Sequence, residues 1–126
     1  MSDAKTNIGA IEWCDLTVNN AENIKDFYSD VVGWQSKAES MGEYDDYNII
    51  LPESGDTVAG ICHARGSNSN LPAQWLMYVN VEDVKASANK CIALGGEVLD
   101  GPRTMCGKQF CVIKDPAGAV LALVSA

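Results

Sequence analysis

From Ile8 to Val18 the chain is rich in apolar and β-branched residues, the pattern of a strand, and it then turns polar at Asn19-Asn20. Asn20 has the side-chain chemistry to cap a helix starting near Ala21. Ile24, Phe27, Tyr28, Val31 and Val32 recur at helical spacing, which predicts one apolar helix face with Gly33 as its C-terminal stop. Strand-like runs follow near 34–41, 44–51 and 57–64, separated by clusters of Gly, Pro and Asp. The first half therefore reads β-α-β-β-β.

Residues 65–73 are polar and rich in turn formers, a natural linker, and beyond them the order begins again. A strand is predicted over 74–81. A helix follows over 83–94, with Val84, Ala88, Cys91 and Leu94 on one face and Gly95-Gly96 as the stop. Three more strands are expected at 97–99, 109–114 and 119–125. Twenty residues separate Trp13 from Gly33 and Trp75 from Gly95, so an internal repeat of a βαβββ unit is the economical reading. The units run from about 8 to 64 and from about 74 to 125. Asp115-Pro-Ala-Gly118 has the signature of a type I turn between the last two strands, and the Asp115 carboxylate is expected to cap it.

A length of 126 residues suits one domain. A 47% hydrophobic and 21% charged composition excludes collagenous and disordered classes. Nine Lys and Arg against seventeen Asp and Glu give a formal net charge of −8, and no basic patch offsets it. Such a surface repels phosphate backbones and anionic lipid, so neither nucleic acid nor membrane is an expected partner. No apolar run reaches the length of a membrane span, and the polar start lacks a signal-peptide core, which makes the cytoplasm the simplest location. Five cysteines form no CxxC pair and read as reduced thiols that pack as small hydrophobes.

The paired βαβββ units, the run Phe27-Tyr28-Ser-Asp-Val-Val-Gly33-Trp34, the Leu94-Gly-Gly96 stop and Lys114-Asp-Pro-Ala-Gly-Ala119 together carry a resemblance. The chain resembles the vicinal oxygen chelate superfamily of glyoxalases, bleomycin-resistance proteins and extradiol dioxygenases over about residues 8–125. Trp13-Cys-Asp15-Leu-Thr17 and Trp75-Leu-Met-Tyr78 are similar to a metal-free-looking, glyoxalase-like subfamily. The resemblance implies an α+β fold in which two curved mixed sheets enclose a cleft. In metal-using relatives four inward side chains hold a divalent ion. Carried over by spacing, those places fall on Trp13, Gly60, Leu76 and Ala122, none of which offers the oxygen or imidazole donors such an ion requires. Neither a metal nor another cofactor is therefore expected. The single histidine, His63, falls on the opposite face of its strand from Gly60.

Strand alternation puts Trp13, Asp15 and Thr17 on one face, Gly60 and Cys62 on a second, and Leu76 and Tyr78 on a third, with Ala122 closing the set. An aromatic beside a glycine and an alanine describes a pocket for something flat and mostly apolar. Asp15, a carboxylate on an inward face, would be desolvated with its pKa raised, able to act as a general base or to accept from a ligand's amine or hydroxyl. It could equally be pinned by a backbone N–H, by Lys108 or by Arg103. The leading expectation is a protein that binds a small organic molecule without a metal. The alternative is a metal-independent isomerase, lyase or hydrolase with Asp15 as base, and a third reading is a partner-binding module whose cleft is filled. Unpaired sheet edges suggest a homodimer.

Overall fold

The structure, a computed structural model, describes residues 7–125. In chain order it contains β1 (Ile11–Val18), α1 (Ala21–Val32), β2 (Gln35–Ser40), β3 (Asp45–Ile50), β4 (Thr57–His63), β5 (Trp75–Val81), α2 (Val84–Ala93), β6 (Glu97–Met105), β7 (Lys108–Lys114) and β8 (Val120–Ser125). The βαβββ order is present twice. The chain is α+β, and no helix among the described residues is long and apolar enough to cross a membrane.

Two compact units divide it. One is Cys14–Trp75; the other joins the described residues up to Trp13 to Leu76–Ser125. Each unit thus takes in the start of a strand from the other half of the sequence. Trp75 closes the first unit, where its indole N–H donates to the Tyr28 hydroxyl at 3.1 Å and its ring meets Trp34 edge-on at 5.8 Å. The segment before Cys14 belongs with β5: the Gly9 N–H donates to the Asn80 carbonyl at 2.7 Å, and the Asn80 N–H donates to that of Ala10 at 2.9 Å.

In the first unit the hydrogen-bonded order is β2-β3-β4-β1, with β1 parallel to β4 and the other pairs antiparallel. Leu16, Tyr47, Ile49, Ala59 and Ile61 point to one sheet face and pack with Ala21 of α1 into a core. Period-two alternation sends Asp15, Asp46, Asn48, Gly60 and Cys62 to the other face. The second unit repeats the plan as β5-β8-β7-β6, with β5 parallel to β8. Val84 and Ala88 of α2 pack there with Cys111 and Leu123. Fully burying a side chain the size of Ile61 or Val84 contributes about 1.5–3 kcal/mol, which is what holds each helix to its sheet.

Several local expectations are corrected. The Asn20 side chain makes no cap; its backbone carbonyl accepts from Asn23 and Ile24 instead. Gly33 does stop α1, in the left-handed region at φ 90°, with its N–H on the Ser29 carbonyl. The buried stripe of α1 is narrower than the pattern suggested: Ala21, Ile24 and Tyr28 face the core, while Phe27, Val31 and Val32 are exposed. Phe27 meets the Tyr28 ring edge-on at 5.1 Å on the rim of this core rather than within it. Leu94 falls beyond the last turn of α2 and is exposed.

The largest correction concerns β6, which extends to Met105 rather than ending at Leu99. Gly101 and Pro102 read as strand breakers. The strand passes through them with two register shifts against β7, and the Gly101–Pro102 bond is cis. Gly101 lies at φ 84°, and a Cβ there would meet the Phe110 carbonyl at 2.6 Å, so no other residue fits this close approach of β6 to β7. The Asp115 turn is as expected. Its carboxylate accepts from the Ala117 and Ala119 N–H groups at 2.8 and 3.0 Å, while the Gly118 N–H donates to the Asp115 carbonyl.

Candidate functional site

In the first unit Asp15 lies directly opposite Gly60 in the parallel register, and Thr17 opposite Cys62. All four are on the face that α1 does not cover. Asp15 and Cys62 are partly buried, and Gly60 and Thr17 are buried. Because glycine has no side chain, the position across the strand from the Asp15 carboxylate is unfilled by its own register partner. The Cys62 thiol hydrogen-bonds the Asp46 carboxylate, and burial together with the negative charges of Asp15 and Asp46 pushes its pKa far upward. The shift favours the neutral thiol, the less reactive form. Cys14, next in sequence to Asp15, is also raised, by burial and then by the Asp15 charge.

His63 is partnered rather than poised. Its Nδ1 lies 2.8 Å from the Asp45 carbonyl and 3.6 Å from an Asp46 oxygen, and its ring sits against Tyr44 and Tyr47. Its backbone N–H donates to Asp46 at 2.9 Å. It is spent on the end of β4.

In the second unit Tyr78 lies opposite Ala122, and Ala122 opposite Val112, on the face away from α2. Leu76 and Tyr78 alternate on β5, and all three expected lining residues are buried, at 1%, 8% and 0% exposure for Leu76, Tyr78 and Ala122. Trp13, partly buried, belongs to this unit.

The same face holds a cluster that sequence reasoning did not assemble. Arg103 Nε and Nη2 donate to the two Asp100 oxygens at 3.0 and 2.9 Å, and the guanidinium lies 4.9 Å from the centre of the Phe110 ring. Phe110 in turn packs against Tyr78 with ring centres 5.5 Å apart. The hydrogen bond to Asp100, outweighing burial, holds the Arg103 guanidinium above its already high pKa. The sequence signal was present in the acid and the guanidinium flanking Gly101-Pro102. The strand expected at 97–99 stops short of both residues. Lys108, at the start of β7, is exposed.

A surface depression of about 290 Å³ lies elsewhere in this unit, lined by Gly95, Glu97, Lys114 and the 115–118 turn. None of the expected site residues borders it.

A divalent ion held by the four places the resemblance marks would need lone-pair donors there, and an indole, a glycine and two buried aliphatic side chains supply none. Among the described residues no cluster of three or more His, Cys, Asp or Glu has a metal-binding arrangement. The residues do not fit the ion.

A repeated βαβββ unit with a parallel β1–β4 or β5–β8 pair is the architecture of a recognisable class of small α+β proteins. The model of the Glyoxalase/Bleomycin resistance protein/Dioxygenase superfamily matches residues 10–123, and the chain belongs to that family. Among curated relatives it is 27% identical over 117 residues to CFP32 of Mycobacterium tuberculosis (strain CDC 1551 / Oshkosh), named as a glyoxylase. It is 28% identical over 128 residues to the anthracycline biosynthesis protein DnrV of Streptomyces peucetius. These alignments cover 92% and 91% of the chain but only 44% and 46% of the relatives, so the chain spans about half their length. Among solved structures, methylmalonyl-CoA epimerase from Mycobacterium tuberculosis aligns at TM-score 0.55 and 15% identity, covering 99% of this chain and 92% of its own. A Streptomyces coelicolor methylmalonyl-CoA epimerase variant in complex with 2-nitronate-propionyl-CoA aligns at 0.58 and 18%, covering 94% and 98%. These likenesses establish the glyoxalase/bleomycin resistance fold.

One prediction concerns pH. Burial first, then the nearby Cys91 and Asp100, pushes the Cys111 thiol from an ordinary value of 9.0 to about 11. In the unfolded chain this thiol loses its proton near its ordinary pKa; in the fold it keeps the proton until about pH 11. Above pH 9.0 the unfolded state therefore binds fewer protons, and stability falls as pH rises to about 11. Urea titrations at steps through this range should show the fall, and Cys111→Ala should make it shallower without removing it, because Cys62 and Cys14 are raised in the same direction. A slope unchanged in that variant would assign it to other groups.

Proposed function

We propose that the chain binds a small, largely apolar organic molecule without a metal, with Asp15 as the polar anchor. The observation that carries this is the pairing of a partly buried Asp15 with the side-chain-free Gly60 on a sheet face no helix of its unit covers. Cys62 borders Asp15 as a neutral, weakly polar wall. In the second unit the proposed lining residues are Trp13, Leu76, Tyr78 and Ala122. Relatives named for glyoxylase and for anthracycline biosynthesis support a small organic ligand.

Two other readings stand beside this one. Asp15 as a general base would make the chain a metal-independent isomerase, lyase or hydrolase. The burial of Leu76, Tyr78 and Ala122 favours the reading in which the sheet faces are filled and the chain serves partners instead. The five free thiols suit a reducing compartment such as the cytoplasm.

Asp15→Asn separates these readings. Against a hit from a thermal-shift screen of aromatic and polyketide-like compounds, the variant should keep its melting temperature. Its affinity should fall roughly 10- to 150-fold, the loss of one charge-assisted hydrogen bond worth about 1.5–3 kcal/mol. Normal binding without turnover would favour the enzyme. A lower melting temperature with unchanged affinity would make Asp15 structural.

Metal is tested directly. Dialysis against excess Ni²⁺ or Zn²⁺ should leave well under one equivalent bound, and stoichiometric binding that survives replacement of His63 would refute the metal-free reading.

Assembly is the remaining proposal. Strand β2 forms an edge with all six residues exposed, and an unpaired edge of this kind supports a homodimer. Light scattering should give twice the 13.5 kDa chain mass at micromolar concentration, and the single-chain mass would overturn it.

A further inference from the structure

We propose that strand β2 joins two copies of the chain edge to edge, antiparallel about a two-fold axis at Ala38, with Lys37 of each copy facing Glu39 of the other. The inference rests on the proposed homodimer and names its surface and register. β2 is the outer strand of the first unit, paired on one side with β3 and exposed at all six residues. That pairing runs without a shift from Gln35 opposite Ile50 to Ser40 opposite Asp45. The outer strand of the second unit, β6, is shifted twice in register around Gly101-Pro102, an irregularity of the kind that blunts an edge.

The backbone fixes which groups point outwards. The Met41 N–H donates to the Tyr44 carbonyl at 2.8 Å, one step beyond the Ser40–Asp45 pair, so the odd-numbered residues of β2 turn their N–H and C=O groups towards β3. Ser36, Ala38 and Ser40 turn theirs towards the outer edge. A second β2 can bond there only where outward-turned residues oppose one another, which excludes a slip of one residue. Among the remaining registers the charges decide. Ser36-Lys37-Ala38-Glu39-Ser40 reads as its own charge complement when reversed. Centred on Ala38, Ser36 opposes the partner's Ser40 in a hydrogen-bonded pair. Lys37 then opposes the partner's Glu39 in a non-hydrogen-bonded pair, where side chains come closest. A shift of two residues sets Lys37 against the partner's Lys37, or Glu39 against the partner's Glu39, and like charges directly opposite are destabilising. Lys37 makes no ion pair among the described residues, and the Asn48 amide holds Glu39 at 2.9 Å on the same sheet face. A chain of formal net charge −8 repels its own copy in general, so a self-contact needs a locally complementary patch. Two-fold symmetry makes the Lys37–Glu39 pairing occur twice.

Sedimentation equilibrium at low ionic strength tests this on the unaltered chain, Lys37→Glu, Glu39→Lys and an equal mixture of the two variants. Each variant alone sets like charges opposite one another twice, and its dimer dissociation constant should rise by roughly tenfold or more. In the mixture opposite charges face each other again, and a mixed dimer should form within about threefold of the unaltered affinity. A monomeric unaltered chain would overturn the homodimer and this interface together. A dimer that neither variant weakens would overturn this interface and leave a homodimer through another surface standing. Variants that dissociate alone and stay apart when mixed would overturn the Lys37–Glu39 pairing. Should Glu39→Lys not fold, Lys37→Glu combined with Glu39→Gln, which keeps an acceptor for Asn48, takes its place. Removing the repulsion should recover the affinity lost in Lys37→Glu, and no recovery overturns the pairing.

Discussion

Asp15 faces Gly60, and Thr17 faces Cys62, because β1 and β4 run parallel in one register, and that register is held from the opposite side of the same strands. There Leu16 and Ile61, at 5% and 0% exposure, pack with Ala21 of α1. A slip of one residue along β1 would turn Asp15 into this core and Leu16 out of it. The cost of burying an unpaired carboxylate while exposing a leucine fixes the register far more firmly than the polar face could. The chemistry on the uncovered face is thus positioned by the packing on the covered one.

The second unit obeys the same constraint up to β6 and then departs from it. Tyr78 and Ala122 sit opposite one another because Val79, Val81, Leu121 and Leu123 alternate with them and pack towards α2. Asp100 and Arg103 share a face only because the strand is irregular between them. A backbone that breaks alternation to set a buried carboxylate against a guanidinium stands out in a sheet otherwise patterned by apolar periodicity.

Burial keeps a thiol protonated in each unit, Cys62 in the first and Cys111 in the second. Around Cys62 the carboxylates of Asp15 and Asp46 reinforce burial, so the thiol stays protonated and serves as lining. His63, the residue most readily suspected of acid–base chemistry, is committed to the Asp45 carbonyl and two tyrosine rings.

Local sequence determined a great deal. Helical spacing located α1 and α2, Gly33 and the Asp115 turn marked stops that the backbone obeys, and alternation placed Asp15, Gly60, Cys62, Tyr78 and Ala122 on the faces they occupy. These features follow from periodicity, left-handed glycine geometry and side-chain-to-backbone bonding, each of which acts within a few residues. Other features depended on tertiary structure. Phe27 and Val31 have the spacing of core residues yet are exposed. Trp75 is claimed by Tyr28 and Trp34 through contacts far apart in sequence. Strand β6 runs through Gly101 and Pro102 because pairing with β7 supplies hydrogen bonds that local propensity could not anticipate, and that pairing puts Arg103 over Phe110. Residue type and spacing set which faces could form; which neighbours met across them was decided by long-range strand pairing, whose energy no local pattern encodes.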